Sequence, residues 1–332
     1  MRNIVKKTTL VSSLVLALSA NSMYAQSFEW ISSTEGNTWQ KSKAKLQTNA
    51  AQTPILDVNG SEEGTVFKAW GTCFNELGWD ALNMLPRKEQ ETILHKLFSP
   101  EGELRFTMGR FSMNANDYAR DWYSCDEVPG DFQLKYFNIN RDKTTLIPFI
   151  KAAQQYNPNM TFWMSPWSPP SWMKINHYYS VRSDRNQNQM SPLSDVALFE
   201  GSKEKNTKVF PQQLAVNDYF IQDPRYLQTY ANYFCKFIDA YKQQGIAISM
   251  VMFQNESWSY TNYPGCAWTA EGIIRFNTEY LAPTLKKQHP EIKLYLGTIN
   301  TNRYDVIDQV LSDPRMPETI QGVGFQWEGG QI

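Results

Sequence analysis

Two neighbouring residues, Asn255 and Glu256, are where this chain most invites chemistry. They follow Met250-Val-Met-Phe253, an unbroken apolar run of strand length, with Gln254 between. Such a run suits a strand buried on both faces, as in a parallel sheet. The polar residues then fall where the strand should end, and in a (β/α)8 barrel those ends carry the chemistry. A carboxyl group beside an amide is what sugar chemistry needs: an acid to protonate the leaving oxygen, and a hydrogen-bonding partner for a ring hydroxyl. The competing reading is a helix N-terminus, with Asn255 as its cap and Glu256 in the first turn.

Other chemistries find little support. Of the three histidines, His95 lies in a polar amphipathic helix, His289 precedes Pro290 at a helix end, and His177 sits in a loop. HExxH, paired His-Cys spacing, GxSxG, GxGxxG and the Walker pattern do not occur. Neither a metal nor a nucleotide cofactor is therefore expected. A net charge of −1 offers no electrostatic footprint for nucleic acid or anionic membrane. Aromatic residues make up 14%, with 11 Trp and 17 Tyr, rings that stack on sugars as readily as they fill cores.

Residues 1–25 read as a secretory signal, with Arg2, Lys6 and Lys7 at the positive end, Leu10 to Leu18 apolar, and Ala25 before the cut. The expected location is secreted or periplasmic. No later stretch is long and apolar enough to span a bilayer, so no stable membrane insertion is expected. Cys73, Cys125, Cys235 and Cys266 are irregularly spaced, which leaves both disulfides and buried free thiols open.

These residues need a scaffold. Residues 26–64 are polar and turn-rich, and read as short strands outside the main core. From residue 65 strands and helices alternate: strands at 65–74, Leu104–Met108, Met160–Met164, the run from Met250, 293–296 and 322–327, and helices at 86–98, 143–156, 223–245, 269–288 and 305–311. A long polar segment, 174–222, reads as loop. Regular alternation predicts parallel pairing with right-handed crossovers. A doubly wound sheet would fit, but no glycine-rich phosphate turn follows the first strand. A barrel needs eight strands. The chain stops just after the sixth, so a fragment of a longer protein is expected.

Several stretches resemble glycoside hydrolase family 30, the glucosylceramidase-like family: Trp70-Gly-Thr-Cys-Phe-Asn-Glu76, Leu104-Arg-Phe-Thr-Met-Gly109, Asp131-Phe-Gln-Leu134, Ser165-Pro-Trp-Ser-Pro-Pro-Ser-Trp-Met-Lys-Ile-Asn176, Gln254-Asn-Glu256, and Tyr263-Pro-Gly-Cys266 with Thr269-Ala-Glu271. The resemblance runs from about Val66 onward. It implies an α/β fold, a TIM barrel (incomplete here) with a small β-sandwich side domain to which residues 26–64 contribute. It also implies a retaining hydrolase of β-glycosides, acting on a carbohydrate or glycolipid. By carry-over Glu256 is the general acid/base, Asn255 binds the sugar's 2-hydroxyl, Trp167 walls the pocket and Arg105 lies near the acid sites. Trp172 is either pocket or its support. Where the family carries His and two aromatics at the sixth strand, this chain has Gln326-Trp327-Glu328. Gln326 and Trp327 remain candidates for sugar contact. Glu328 is one too, and the rival for the second carboxylate. The family's nucleophilic Glu comes from a seventh strand, expected beyond residue 332. The alternatives carried are a non-catalytic carbohydrate-binding barrel and an endo-acting β-1,6-glucanase or xylanase.

Overall fold

The computed structural model describes residues 27–45, 66–191, 217–300 and 304–326. The chain divides into two compact units, Met1–Val66 and Phe67–Ile332. The signal-like residues 1–25 lie outside the described residues.

In the first unit β1 (Ser27–Thr34) pairs antiparallel with β2 (Asn37–Lys45). Gly36, at φ +80°, supplies the left-handed residue that so tight a turn requires.

The second unit is built on a six-stranded parallel sheet in the order β3-β4-β5-β6-β7-β8. The strands are β3 (Gly71–Phe74), β4 (Met108–Met113), β5 (Thr161–Pro166), β6 (Ile248–Met252), β7 (Lys293–Ile299) and β8 (Val323–Phe325). Spatial order follows chain order, and helices connect the strands, which is the plan of a TIM barrel over six of its strands. The helices are α1 (Glu76–Asn83), α2 (Arg87–Phe98), α3 (Leu146–Tyr156), α4 (Pro224–Gln243), α5 (Ala270–Arg275), α6 (Ala282–Gln288), α7 (Tyr304–Leu311) and α8 (Met316–Thr319). A single π-helical turn, Phe276–Leu281, joins α5 to α6.

The longest helix shows why such segments fold as they do. Asp223 caps α4 by accepting the Arg225 N–H at 2.8 Å, and Pro224 follows with its φ already helical. Gly245, at φ +71°, closes it. The stripe Leu227, Tyr230, Phe234, Phe237 and Tyr241 recurs at helical spacing and is fully buried. Tyr241 stacks on Phe111 of β4 at 4.7 Å and 10°. Phe74 of β3 meets Phe149 of α3 edge-on at 4.7 Å. One face of the sheet thus carries the core. A Cβ at Gly109 would come within 2.5 Å of the Phe74 ring and 2.9 Å of Phe162, so the aromatic layer closes over this position only because it is glycine.

One strand lies later than the alternation of Leu104-Arg-Phe-Thr-Met108 suggests. Leu104 N–H donates to Lys96 O and Phe106 N–H to Leu97 O, both at 2.9 Å, so this stretch closes the end of α2. Arg105 sits at φ +53°, outside the strand region. β4 begins at Met108.

Candidate active site

The site is assembled where β4, β5, β6 and β7 end. On β4, residues alternate between faces: Gly109 and Phe111 turn to the aromatic core, and Arg110 and Ser112 to the other side. Arg110 pairs in register with Cys73 on β3 and Trp163 on β5. Its guanidinium lies 4.8 Å from the Trp163 ring and 4.3 Å from that of Trp167. Both are within cation–π range. From there Nη2 donates to Ser165 Oγ at 2.9 Å and to Asn255 Oδ1 at 2.7 Å. Burial pulls the Arg110 pKa down, while Cys73, Glu256 and Asp117 act the other way. Burial thus works against the Arg110 charge, and the acidic groups around it favour that charge.

Asn255 is buried, and the end of β6 is tied on both sides. Asn255 N–H donates to Pro166 O of β5 at 2.7 Å, and Glu256 N–H to Thr298 O of β7 at 3.0 Å. No helix begins here: the next one starts at Ala270, so the helix-cap reading of Asn255 does not hold. Instead Asn255 Oδ1 accepts from Arg110, from Thr298 Oγ1 at 2.9 Å and from Gln326 Nε2 at 2.8 Å. Three donors fix which way the amide points, and its Nδ2 end is the donor turned elsewhere. Gln326 Nε2 also donates to Thr298 Oγ1 at 2.6 Å, which locks the three side chains together. Gln254 completes the frame by donating to Trp167 O at 2.6 Å.

Glu256 holds φ +50°, a conformation rare for a residue with a Cβ and one that costs on the order of 1 kcal/mol. Such strain concentrates at functional positions. Tyr263 O–H donates to Glu256 Oε2 at 3.0 Å. That bond orients the carboxyl. The site therefore sets a carboxyl beside a fixed amide, with two indoles and a cation behind them.

Of the sequence-derived candidates, the structure brings together Glu256, Asn255, Trp167 and Gln326. Trp327 and Glu328 lie outside the described residues. Arg105 is a correction. Its Nε donates to Gly102 O at 2.9 Å, in the turn that enters β4. In a parallel sheet the entry end is opposite the end that carries Asn255, and Arg110, five residues on, is the cation at the site. Trp172 is support: it is buried, its Nε1 donates to Asp126 O at 3.0 Å, and its ring packs edge-on against Phe132.

Three participants had no individual signal in the sequence. Arg110 could have been found as the charged residue on the non-core face of the Gly109/Phe111 alternation. Asp117 has its pKa raised by desolvation, opposed by its own backbone N–H, the Arg110 charge and the Trp167 side chain. Tyr263 stood inside a motif without a role. Both loop positions depend on tertiary folding. The cysteines are free, with Cys125, Cys235 and Cys266 buried and Cys73 exposed.

Comparison with known proteins agrees with this fold. The Glycosyl hydrolase family 30 TIM-barrel domain matches residues 67–188 and 218–329. The lysosomal acid glucosylceramidase of Mus musculus is 25% identical over 308 residues, 89% of this chain and 52% of that protein. The endo-1,6-β-D-glucanase neg1 of Aspergillus fumigatus is 24% identical over 280 residues, 83% of this chain and 50% of that protein. The crystal structure of SrfJ from Salmonella typhimurium aligns with a TM-score of 0.71 and 20% identity, over 92% of this chain and 61% of that one, a likeness of fold. This chain spans about half the length of the curated relatives it matches.

Proposed function

The chain belongs to glycosyl hydrolase family 30, and from that premise we propose that it forms the acid/base half of a retaining β-glycoside hydrolase site. Glu256 is the general acid/base in this reading. Asn255 holds the sugar's 2-hydroxyl, Trp167 walls the pocket, and Gln326 and Arg110 keep the Asn255 amide in place. The observation that carries it is the triple anchoring of Asn255 Oδ1 beside a carboxyl whose Oε2 is held by Tyr263.

Double displacement needs two carboxyls about 5–5.5 Å apart. One attacks the anomeric carbon as the glycosidic oxygen departs with a proton, and the same acid then accepts a proton from the incoming water. Glu256 supplies the proton. In the family the attacking carboxylate belongs to the seventh strand. Two relatives act, by name, on glucosyl substrates, one a glycolipid and one a glucan. A β-glucoside is thus the substrate to try first, in a protein that residues 1–25 would direct to the secreted or periplasmic compartment.

Calorimetric titration with an aryl β-glucoside tests the reading at the level of binding, which does not need the nucleophile. Saturable one-to-one binding, weakened about tenfold or more in Asn255→Ala, is expected, the loss of one well-placed polar anchor. A folded chain that binds no glucoside, or binds it equally well without the Asn255 amide, would refute it.

A further inference from the structure

Lys174 lies in the loop after β5, just past the 3-10 turn Ser171–Met173, and is fully buried. Its ammonium meets four oxygens. Nζ donates to Tyr179 O at 2.6 Å, to Gly265 O at 2.7 Å, and to Ser168 Oγ and Ser180 O at 3.3 Å each. Each of these acceptors is a carbonyl or a hydroxyl, and none is a carboxylate. Burying a charge on dipoles alone is costly, and an apolar side chain of similar length would fill the same space. What the charge adds is what it holds.

It holds both sides of the site. Ser168 follows Trp167, whose carbonyl accepts from Gln254 and whose ring lies against the Arg110 guanidinium. Ser168 O accepts from Asn114 Nδ2 at 3.1 Å, just past the end of β4. Gly265 ends the segment 261–265, which runs antiparallel to 179–181. Gly265 N–H donates to Tyr179 O and Val181 N–H to Thr261 O, both at 3.1 Å, and Ser180 pairs with Pro264. Tyr263, the donor to Glu256, is at the middle of that segment. One ammonium therefore joins the tryptophan wall to the segment that orients the acid.

The charge is also one that can be lost. Burial pulls the Lys174 pKa from 10.5 to about 8, opposed by Cys266 and Glu127. Around it, burial pushes the Cys266 thiol up to about 12, and burial and Glu127 push the Tyr179 phenol well up. The Glu127 carboxylate accepts from Ser124 and Ser171. Lys174 is thus the member of this cluster that changes charge just above neutral pH. The ammonium has three N–H donors for its oxygens, while the neutral amine has two and turns a lone pair toward the rest.

We propose that Lys174 is a positioning residue of the site, its ammonium setting the Trp167 wall against the Tyr263–Glu256 pair, so that glycoside binding requires its charge. This role rests on the glycosidase reading above. A side chain that only filled the core would carry affinity along with stability. Because the folded pKa lies below the unfolded one, the stability this group contributes rises from about pH 8 to 10.5. The positioning role moves affinity the other way, and by linkage the chain takes up protons as it binds sugar near pH 8.

The test is calorimetric titration of the full chain with an aryl β-glucoside across this pH range, in two buffers of different ionisation enthalpy. Affinity of the unmodified chain is expected to fall about tenfold between about pH 7 and pH 9.5, with proton uptake on binding near pH 8. Lys174→Met keeps the length and loses the charge. It is expected to bind about tenfold more weakly at pH 7, with neither the fall nor the uptake. The pH series on the unmodified chain decides the matter even where Lys174→Met does not fold. Affinity that stays level or rises over this range, or falls without proton uptake, overturns the role of Lys174 and leaves the Glu256 site standing. So does a fall that persists in Lys174→Met. Failure to bind the glucoside at any pH removes both.

Discussion

Arg110 is the residue on which the site turns. Its plane lies against two indoles while Nη2 reaches Ser165 and Asn255, which a planar guanidinium can do and an ammonium on a flexible stem cannot. Arg110→Lys keeps the charge and loses the shape. Glucoside affinity measured by calorimetry is expected to fall about tenfold, with the thermal midpoint little changed. An unchanged affinity would mean that the Asn255 amide is fixed by Thr298 and Gln326 alone. Asn255, Glu256, Trp167 and Gln326 were legible in the sequence because strand ends and family motifs mark them. Arg110 was displaced by Arg105, because Leu104-Arg-Phe-Thr-Met108 has the apolar alternation of a strand. Gly102 and the left-handed Arg105 turn that stretch into a helix end, and such local backbone chemistry overrides a short periodic signal.

Among the elements, the 3-10 turn Asp142–Thr144 that leads into α3 carries a buried carboxyl with a pH signature. Asp142 is fully buried and accepts from Tyr123 O–H at 2.6 Å and Tyr241 O–H at 2.8 Å. Burial raises its pKa from 3.8 to about 6, against the two phenols. A raised acid pKa means the folded chain holds its proton more tightly than the unfolded chain. The stability this group contributes is full below about pH 4, falls as pH rises toward 6, and is flat above. The span is at most about 3 kcal/mol. Glu76 behaves oppositely. Burial pushes it up, but Arg141 and the Arg120 N–H outweigh that and hold it below 4.5, so its contribution is lost as pH falls. Asp142→Asn should flatten the decline between pH 4 and 6 in urea denaturation and leave the acid limb intact. A decline that persists in the variant would place its origin elsewhere. The order and parallel sense of the strands were legible at this scale, since helix and strand periods alternate cleanly. Strand limits were not: β4 and β6 are each displaced from the apolar runs that announced them, because a buried strand and the loop it feeds are equally apolar.

For the molecule as a whole, the sheet places one carboxyl, one amide and a cation at a common edge, and long loops follow β4 and β5. The second of those loops was readable only as polar and long. Its contacts depend on Lys174 and Asn188 meeting carbonyls distant in sequence, which no local pattern encodes. The central claim is that Glu256 is the carboxyl that meets the glycosidic oxygen, and affinity labelling tests it most directly. A bromoacetyl β-glucosylamine puts its amide nitrogen where the leaving oxygen would be and its CH2–Br carbon two bonds beyond, on the side of the acid/base carboxyl. An attacking carboxylate forms an ester there as bromide departs. With Cys73→Ser as background, so that the thiol beside Arg110 does not compete, peptide mass spectrometry should find one label on Glu256. Free β-glucoside should suppress it, and Glu256→Gln should abolish it. A label that settles on another carboxyl, or one on Glu256 that free sugar does not suppress, would contradict the account.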